Sequence, residues 1–236
     1  MHLSVIIPTY NEEKRLPKTL AEISQYLKRQ DYDSEIIVAD GGSTDRTREI
    51  AREQSFIKLI ELKNSQGKGQ AVKEGMLAAQ GEFRLFTDAD NATSIDQVEK
   101  IWPYFQAGFD VVIGSRDIKG AVLDPPQPFL RKMILGRGFR LVRKILAGFW
   151  DISDTQCGFK AFSGEATAAI FPRLTLFGFS FDVEALVLAK KMGYKIKEIP
   201  VRWVNDPESR VKFKHIIKML LELVKIRLNL IKGLYD

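Results

Sequence analysis

The first half of the chain repeats one pattern: a short apolar run, a polar loop, then an amphipathic helical stretch. The strand-like runs are Leu3 to Pro8, Glu35 to Ala39, Ile57 to Leu62, Phe83 to Phe86 and Asp110 to Ile113. Helical patterns lie between them, at Glu13 to Arg29, from about Asp45, from about Gly69 to Ala79, and at Ser94 to Phe105. Strands that alternate with helices through short connections predict a mostly parallel sheet covered on both faces. The same constraint predicts where function sits, because open α/β sheets hold ligands beyond the carboxyl ends of their strands.

The second half is less regular. Pro125, Pro126 and Pro128 interrupt the chain before a long helical pattern, Phe129 to Trp150. Gly158 to Phe162 reads as a strand and Phe181 to Met192 as a helix. Lys197 to Trp203 reads as a further strand, and a terminal helix runs from about Phe213 to Lys232. No repeat or low-complexity linker divides the 236 residues, so a single domain, 1–236, is expected.

Hydrophobic residues at 45% and charged residues at 28% are ordinary globular usage and argue against a disordered chain. Lone Cys157 excludes an intramolecular disulfide and fits a reducing compartment. Strand-like sequence from Leu3 leaves no room for a signal peptide. No stretch reaches about 18 uncharged apolar residues, so no membrane span is expected. Lys plus Arg (36) less Asp plus Glu (30) leaves a net charge of +6. That suits phosphates, an anionic membrane surface or nucleic acid. The aromatic stacking platform of a single-strand binder is not evident, so nucleic acid is not an expected partner.

The polar loops carry the chemistry. Thr87-Asp88-Ala89-Asp90 follows the fourth strand. Two carboxylates one residue apart suit a hard divalent cation that keeps positions for phosphate oxygens; Asp-x-Asp also occurs in plain turns. The first strand ends in Pro8-Thr9-Tyr10-Asn11-Glu12-Glu13 and the second in Asp40-Gly41-Gly42-Ser43-Thr44-Asp45. Asp40 could accept hydrogen bonds from a base or ribose; the alternative for this loop is plain turn and cap chemistry, since Ser43, Thr44 and Asp45 are all good helix N-caps. Asn64 to Gln70 places glycines beside Lys68 at a helix start, a setting that receives phosphate. It matches neither a Walker A loop nor a GxGxxG fingerprint, which argues against a P-loop NTPase or a dinucleotide enzyme. Gly114-Ser115-Arg116 puts an arginine, a bidentate phosphate grip, at the fifth strand's end.

PTYNEE (8–13), DGGSTD (40–45), NSQGKGQA (64–71), TDAD (87–90), GSR (114–116), DTQCGFK (154–160) and FDVE (181–184) occur in this order. Together they make the chain resemble the family 2 inverting glycosyltransferases with a GT-A fold. The resemblance is greatest to the polyprenyl-phosphate sugar transferase branch, especially its dolichyl-phosphate β-glucosyltransferases, and runs from about residue 3 to residue 211.

The resemblance implies a hexosyltransferase. It would move glucose from UDP-glucose to a polyprenyl (dolichyl-type) phosphate at the cytoplasmic membrane face; many similar enzymes carry transmembrane helices, which the apolar runs of this chain do not predict. Donor binding is expected in the half up to about residue 115 and acceptor binding in the half from about residue 116. Pro8, Tyr10, Glu12, Asp40 and Lys68 match positions that hold the donor nucleotide. Asp88 and Asp90 match the pair that bridges Mg²⁺ or Mn²⁺ to the diphosphate, with Asp90 the central catalytic ligand. Arg210 stands at a family lysine position and is expected near the diphosphate.

Arg116 and Arg131 are expected to grip the acceptor phosphate, with Gln156 beside it. A phosphate monoester is already nucleophilic near neutral pH, since its second proton leaves near about pH 6. Asp154 is therefore expected to orient acceptor or sugar more than to act as a base. Asp182 and Glu184 either contact sugar hydroxyls or cap the following helix. Ala92 stands where similar mannose enzymes often have Gln, which favours a glucosyl reading. GDP-mannose remains the alternative donor, a glycan the alternative acceptor, and a non-catalytic sugar-nucleotide-binding module the alternative class. Cys157 reads as a packed thiol.

Phe129 to Trp150, wound as a helix, divides into an apolar half and a basic half, with six basic and no acidic residues. It fits an interfacial helix on an anionic membrane, or one packed on its own core. Arg131 projects from the apolar half, toward a lipid phosphate or an internal acid such as Asp154. On the terminal helix Lys214, Lys218, Glu222, Lys225 and Lys232 form a narrow polar stripe. Its wide apolar face must meet core, a second copy in a homo-oligomer, or lipid.

Overall fold

The structure, a computed structural model, describes residues 1–125, 138–204 and 213–235. Arg131 and Arg210 lie outside the described residues.

The chain folds in the order β1 (Leu3–Thr9), α1 (Leu16–Leu27), β2 (Ser34–Asp40), α2 (Thr47–Arg52), β3 (Ile57–Glu61), α3 (Lys68–Ala78) and β4 (Phe83–Thr87). A 3-10 turn at Ile95–Lys100 leads to α4 (Trp102–Gln106), β5 (Val111–Ser115) and β6 (Val122–Asp124). Then come α5 (Gly138–Ala147), β7 (Phe159–Ser163), α6 (Gly164–Ile170) and α7 (Phe181–Lys191). β8 (Ile196–Pro200), β9 (Arg202–Val204) and α8 (Phe213–Ile231) complete it.

Seven strands form one sheet in the order β3-β2-β1-β4-β7-β5-β8. All pairings are parallel except those of β7, which runs antiparallel between β4 and β5. β1 has β2 on one side and β4 on the other, so the strand order reverses there. The crevice at such a switch point is where α/β sheets bind ligands. Because β7 is reversed, its amino-terminal loop, 153–158, reaches the same edge as the carboxyl ends of β1, β2, β4 and β5.

β1 is buried along its whole length, as a strand covered on both faces must be. Leu3, Val5 and Ile7 join a core with Leu16, Leu20 and Ile23 of α1. Ile6, between them, faces the other layer with Val72 and Met76 of α3, Phe162 of β7 and Leu186 of α7.

Three expected elements differ, and two unexpected ones appear. Ser94 to Phe105 divides into a 3-10 turn and the short α4, which starts beside Pro103; proline's missing N–H suits a helix start, not its interior. Lys197 to Trp203 splits because Pro200 ends β8 and the chain crosses to pair with β6 in a separate two-stranded sheet. β6 and α6 lacked a signal long enough to read. Of Phe129 to Trp150, residues 138–147 are helical; the helix stops before Gly148, whose φ of +74° suits a helix terminus. Trp150 is therefore outside it, and 129–137 lie outside the described residues.

Candidate active site

The loops after β1 and β2 are bonded into one unit. Asn11 accepts from the Thr44 amide (2.8 Å) and its own amide donates to Ser43 Oγ (2.9 Å). The Glu12 amide donates to Thr47 Oγ1 at 2.7 Å, and the Glu12 side chain pairs with Arg15 Nε at 2.8 Å. Asp40 is fully buried. One carboxylate oxygen accepts from the amides of Gly42 and Ser43 (3.0 and 2.8 Å), the other from the hydroxyls of Thr9 and Ser43. A carboxylate has about four lone-pair sites, so its own loop and Thr9 of β1 together satisfy Asp40. Pro8 is buried in register with Ala39, while Tyr10 is 57% exposed on the rim of the crevice.

The turn before α3 is built for close approach. Gly67 has φ +142°, and a Cβ there would lie 2.5 Å from the Phe177 carbonyl oxygen. The Gly69 amide donates to that same carbonyl at 2.9 Å. This seats Lys68 at the start of α3, where its ammonium pairs with the Asp88 carboxylate. Burial opposes the charge on Lys68, but Asp88, Asp182 and Asp90 outweigh it and raise its pKa.

The Asp88–Asp90 turn is held from three sides. Thr19 Oγ1 donates to the Ala89 carbonyl at 2.7 Å, Asn91 donates to Glu22, and the Val204 amide donates to the Ala92 carbonyl at 2.7 Å. The Ala92 amide donates to Asp90 Oδ1 at 3.0 Å. Position 92 thus supports Asp90 through its backbone. Burial first, and then the charge of Asp88, push the Asp90 carboxyl above its usual range. Two crowded carboxylates of hard oxygen are the donor set a divalent cation relieves, so these residues fit one.

Gly158, in the loop before β7, lies flat against Asp88: a Cβ there would overlap the carboxylate. Gly158→Ala should therefore displace Asp88 and lower transfer about a hundredfold, since an ångström of misplacement costs that much. Unchanged kcat/KM with an unchanged melting temperature would remove this contact from the site.

The opposite wall is an arginine fork. Arg116 donates to Asp154 through Nε (2.7 Å) and Nη2 (3.0 Å), and its amide donates to the same carboxylate at 3.1 Å. The guanidinium also lies 5.5 Å from the centre of the Trp203 ring. Asp154 is 4% exposed, and its amide and that of Ser153 donate to Glu198. Half-buried Gln156 donates its amide to Asp154 at 3.0 Å. The pairing uses the Nε–Nη2 edge of Arg116 and leaves Nη1 outside it.

Burial alone would raise the Asp154 carboxyl, but Arg116 and then Lys160 hold it far below the usual carboxylate range. So low a value makes Asp154 a poor general base and suits it to orienting Arg116. Because the folded value is depressed, the pair stabilises the fold above the ordinary carboxylate pKa of about 3.9. That contribution is lost as pH falls toward the folded value. The melting-temperature gap between wild type and Asp154→Asn should stay constant from about pH 5 to about pH 8 and narrow below about pH 4. A gap that already shrinks between about pH 8 and about pH 6 would contradict the assignment.

Asp182 and Glu184 both stand in the first turn of α7, as the helix-terminus alternative expects, and each has further partners. Glu184 is fully buried and accepts from the Thr175 and Leu176 amides, the Thr175 hydroxyl and the Tyr235 hydroxyl. Its charge suits the N-terminus of α7, and it ties the 175–176 loop to the residues after α8. Asp182 accepts from the Val183 amide at 2.8 Å and from Lys160 at 3.2 Å. Lys160 is the residue the motif reading passed over. It is completely buried over the Phe86 ring and also donates to the Cys157 carbonyl, so it braces the loop that carries Gly158. A lysine inside an apolar strand pattern gives no sign of its partner until β7 is set beside β4. Cys157 is a packed thiol, and burial pushes its pKa up to about 11.

Fold and site define a GT-A architecture: a mostly parallel sheet whose switch-point edge carries a carboxylate pair, a glycine–lysine turn and an arginine fork. The chain belongs to Glycosyl transferase family 2, whose model matches residues 4–171. It is 37% identical over 250 residues to a dolichyl-phosphate beta-glucosyltransferase of Trichomonas vaginalis, covering 100% of this chain and 73% of that one. The enzymes of that name from Saccharomyces cerevisiae and Homo sapiens are each 36% identical, covering 99% and 98% of this chain and 76% of theirs. Among solved structures, glucosyl-3-phosphoglycerate synthase from Mycobacterium tuberculosis with UDP superposes at TM-score 0.70 and 18% identity, covering 97% of this chain and 79% of that one. Its complex with Mn²⁺, UDP and glucosyl-3-phosphoglycerate superposes at 0.67.

Proposed function

We propose that the protein is an inverting, metal-dependent glucosyltransferase with UDP-glucose as donor and a polyprenyl (dolichyl-type) phosphate as acceptor. The observation that carries this reading is the pairing, on one sheet edge, of the Asp88–Asp90 turn with the Arg116–Asp154 fork. One wall suits a leaving diphosphate and the other an incoming phosphate. Relatives named dolichyl-phosphate beta-glucosyltransferase align with nearly the whole chain and support the choice of acceptor and sugar. We read residues 1–236 as one catalytic domain, with the donor side up to about residue 115.

Asp88 and Asp90 would hold Mg²⁺ or Mn²⁺. When bound, such an ion neutralises charge on the departing nucleoside diphosphate. Lys68, released from Asp88, turns its ammonium to a diphosphate oxygen at the start of α3. Tyr10 and Glu12 flank the nucleotide, while Pro8 and Asp40 shape its floor. Arg210 is proposed near the diphosphate and Arg131 near the acceptor. Arg116, aimed by Asp154 with Gln156 beside it, offers Nη1 to the acceptor phosphate. An oxygen of that phosphate attacks the anomeric carbon. The bond from that carbon to the diphosphate oxygen breaks, UDP departs, and the sugar inverts to the β anomer. No base is needed, because the attacking phosphate is already ionised.

The basic and apolar residues of α5 support a peripheral place at the cytoplasmic membrane surface. Among the described residues, no helix is long and apolar enough to cross a membrane. A donor comparison tests the reading: UDP-glucose should outpace GDP-mannose with polyprenyl phosphate, in Mg²⁺ or Mn²⁺. Faster turnover of GDP-mannose would give the mannose reading. Robust transfer to a soluble glycan, or nucleotide binding without turnover, would overturn the acceptor or the enzyme class.

A further inference from the structure

Residues 201–204 run from one wall of the site to the other. The Val201 amide donates to the Ser115 carbonyl at 3.1 Å, next to Arg116, and the Val204 amide donates to the Ala92 carbonyl, two residues past Asp90. Between these points buried Gln97 grips the backbone of Arg202 twice. Its Oε1 accepts from the Arg202 amide (2.6 Å) and its Nε2 donates to the Arg202 carbonyl (2.8 Å). β6 pairs with the same segment, Leu123 opposite Trp203. Strand alternation turns Arg202 and Val204 to one side, where both are exposed, and Trp203 to the other, where it is half-buried. Among the described residues Trp203 packs in neither hydrophobic core. Its ring lies instead against the Arg116 guanidinium.

The bidentate pair with Asp154 leaves Arg116 one motion. Its two side-chain bonds, from Nε and Nη2, define a line, and the guanidinium can hinge about that line. Nη1 lies off the line, so hinging displaces it most. A ring against the face of the guanidinium opposes the hinge and attracts the cation through its quadrupole. We propose that Trp203 is a positioning residue for the acceptor phosphate: it holds the guanidinium plane of Arg116, and so fixes where Nη1 points. Asp154 sets the edge of the fork and Trp203 sets its plane. Gln97, Ser115 and Ala92 hold β9, so the ring rests on a strand tied to both walls. An aliphatic side chain would fill the same space without attracting the cation. The proposal rests on the reading of the Arg116 wall as the acceptor wall.

The test titrates a short polyprenyl phosphate in detergent into the full chain by calorimetry and measures transfer from UDP-glucose beside it. Trp203→Leu should bind the lipid phosphate about tenfold more weakly and raise its KM by the same factor. The KM for UDP-glucose and the melting temperature should match wild type. Trp203→Phe keeps an aromatic face and should restore most of the affinity. In an Arg116→Met, Asp154→Leu background, Trp203→Leu should have no further effect, because the group that it positions is gone. Wild-type affinity in Trp203→Leu overturns the proposal, as does Trp203→Phe no better than Trp203→Leu. An equal loss for donor and acceptor overturns it in favour of a structural role. An undiminished loss in the background without Arg116 overturns it in favour of direct contact with the lipid. Failure of the glucosyltransferase reading looks different: wild type makes no transfer, while calorimetry still ranks wild type, Trp203→Phe and Trp203→Leu in that order.

Discussion

Asp90→Asn should lower transfer about a thousandfold while leaving the fold intact, because the substitution removes one of two charges that hold the metal and diphosphate. The stability half of this prediction comes from the site's own strain. Burial and the neighbouring Asp88 already penalise the charged form of Asp90. Asn keeps an oxygen to accept from the Ala92 amide, now at 3.0 Å from Asp90 Oδ1, and relieves the repulsion. The melting temperature should therefore hold or rise slightly, as expected where function sets stability against activity. Metal-dependent transfer that survives the substitution would sink the metal assignment. A large fall in melting temperature would mean that Asp90 is structural.

The second large effect is expected at Arg116. Arg116→Met strands the Asp154 carboxylate, which is 4% exposed, without its bidentate partner. Breaking a buried pair from one side costs about 3–5 kcal/mol. Transfer should fall as well, with the loss concentrated in the apparent KM for lipid phosphate. A double variant, Arg116→Met with Asp154→Leu, separates the two roles. Replacing both partners removes the stranded charge, so most of the stability should return while transfer stays low. If transfer returned with stability, Arg116 would serve the fold alone. Equal effects on the KM values for donor and acceptor would likewise remove it from the acceptor wall.

The parts of this molecule that were legible in the sequence are those written in local patterns. Apolar runs such as Leu3 to Pro8 name their own strands, because a strand covered on both faces needs no polar alternation. The loops that follow them carry glycines and paired acids whose chemistry can be read without knowing their neighbours. What the sequence hid was pairing. Nothing near Arg116 says that its fork closes on Asp154, 38 residues away, or that Trp203 lies under it. Lys160 carried no reading of its own, and Glu184 only that of a sugar contact or a helix cap, until the reversal of β7 and the return of the chain at Tyr235 placed their partners. Pro200 divided one expected strand into two because a proline cannot donate to the ladder. Asp40 is the middle case. Its position at a strand end was legible, but its satisfaction by Thr9, Gly42 and Ser43 was not.

The most direct measurement is of the bond that forms. The protein is incubated with UDP-glucose carrying ¹³C at the anomeric carbon, a polyprenyl phosphate in detergent, and Mn²⁺ or Mg²⁺, and the lipid product is examined by NMR. A site with the diphosphate on the Asp88–Asp90 wall and the acceptor phosphate on the Arg116 wall predicts one phosphate-linked glucosyl lipid. It should have the large anomeric coupling of a β linkage, and it should be absent when the metal is chelated. An α-linked product, transfer indifferent to chelation, or free glucose with the lipid phosphate untouched would contradict it.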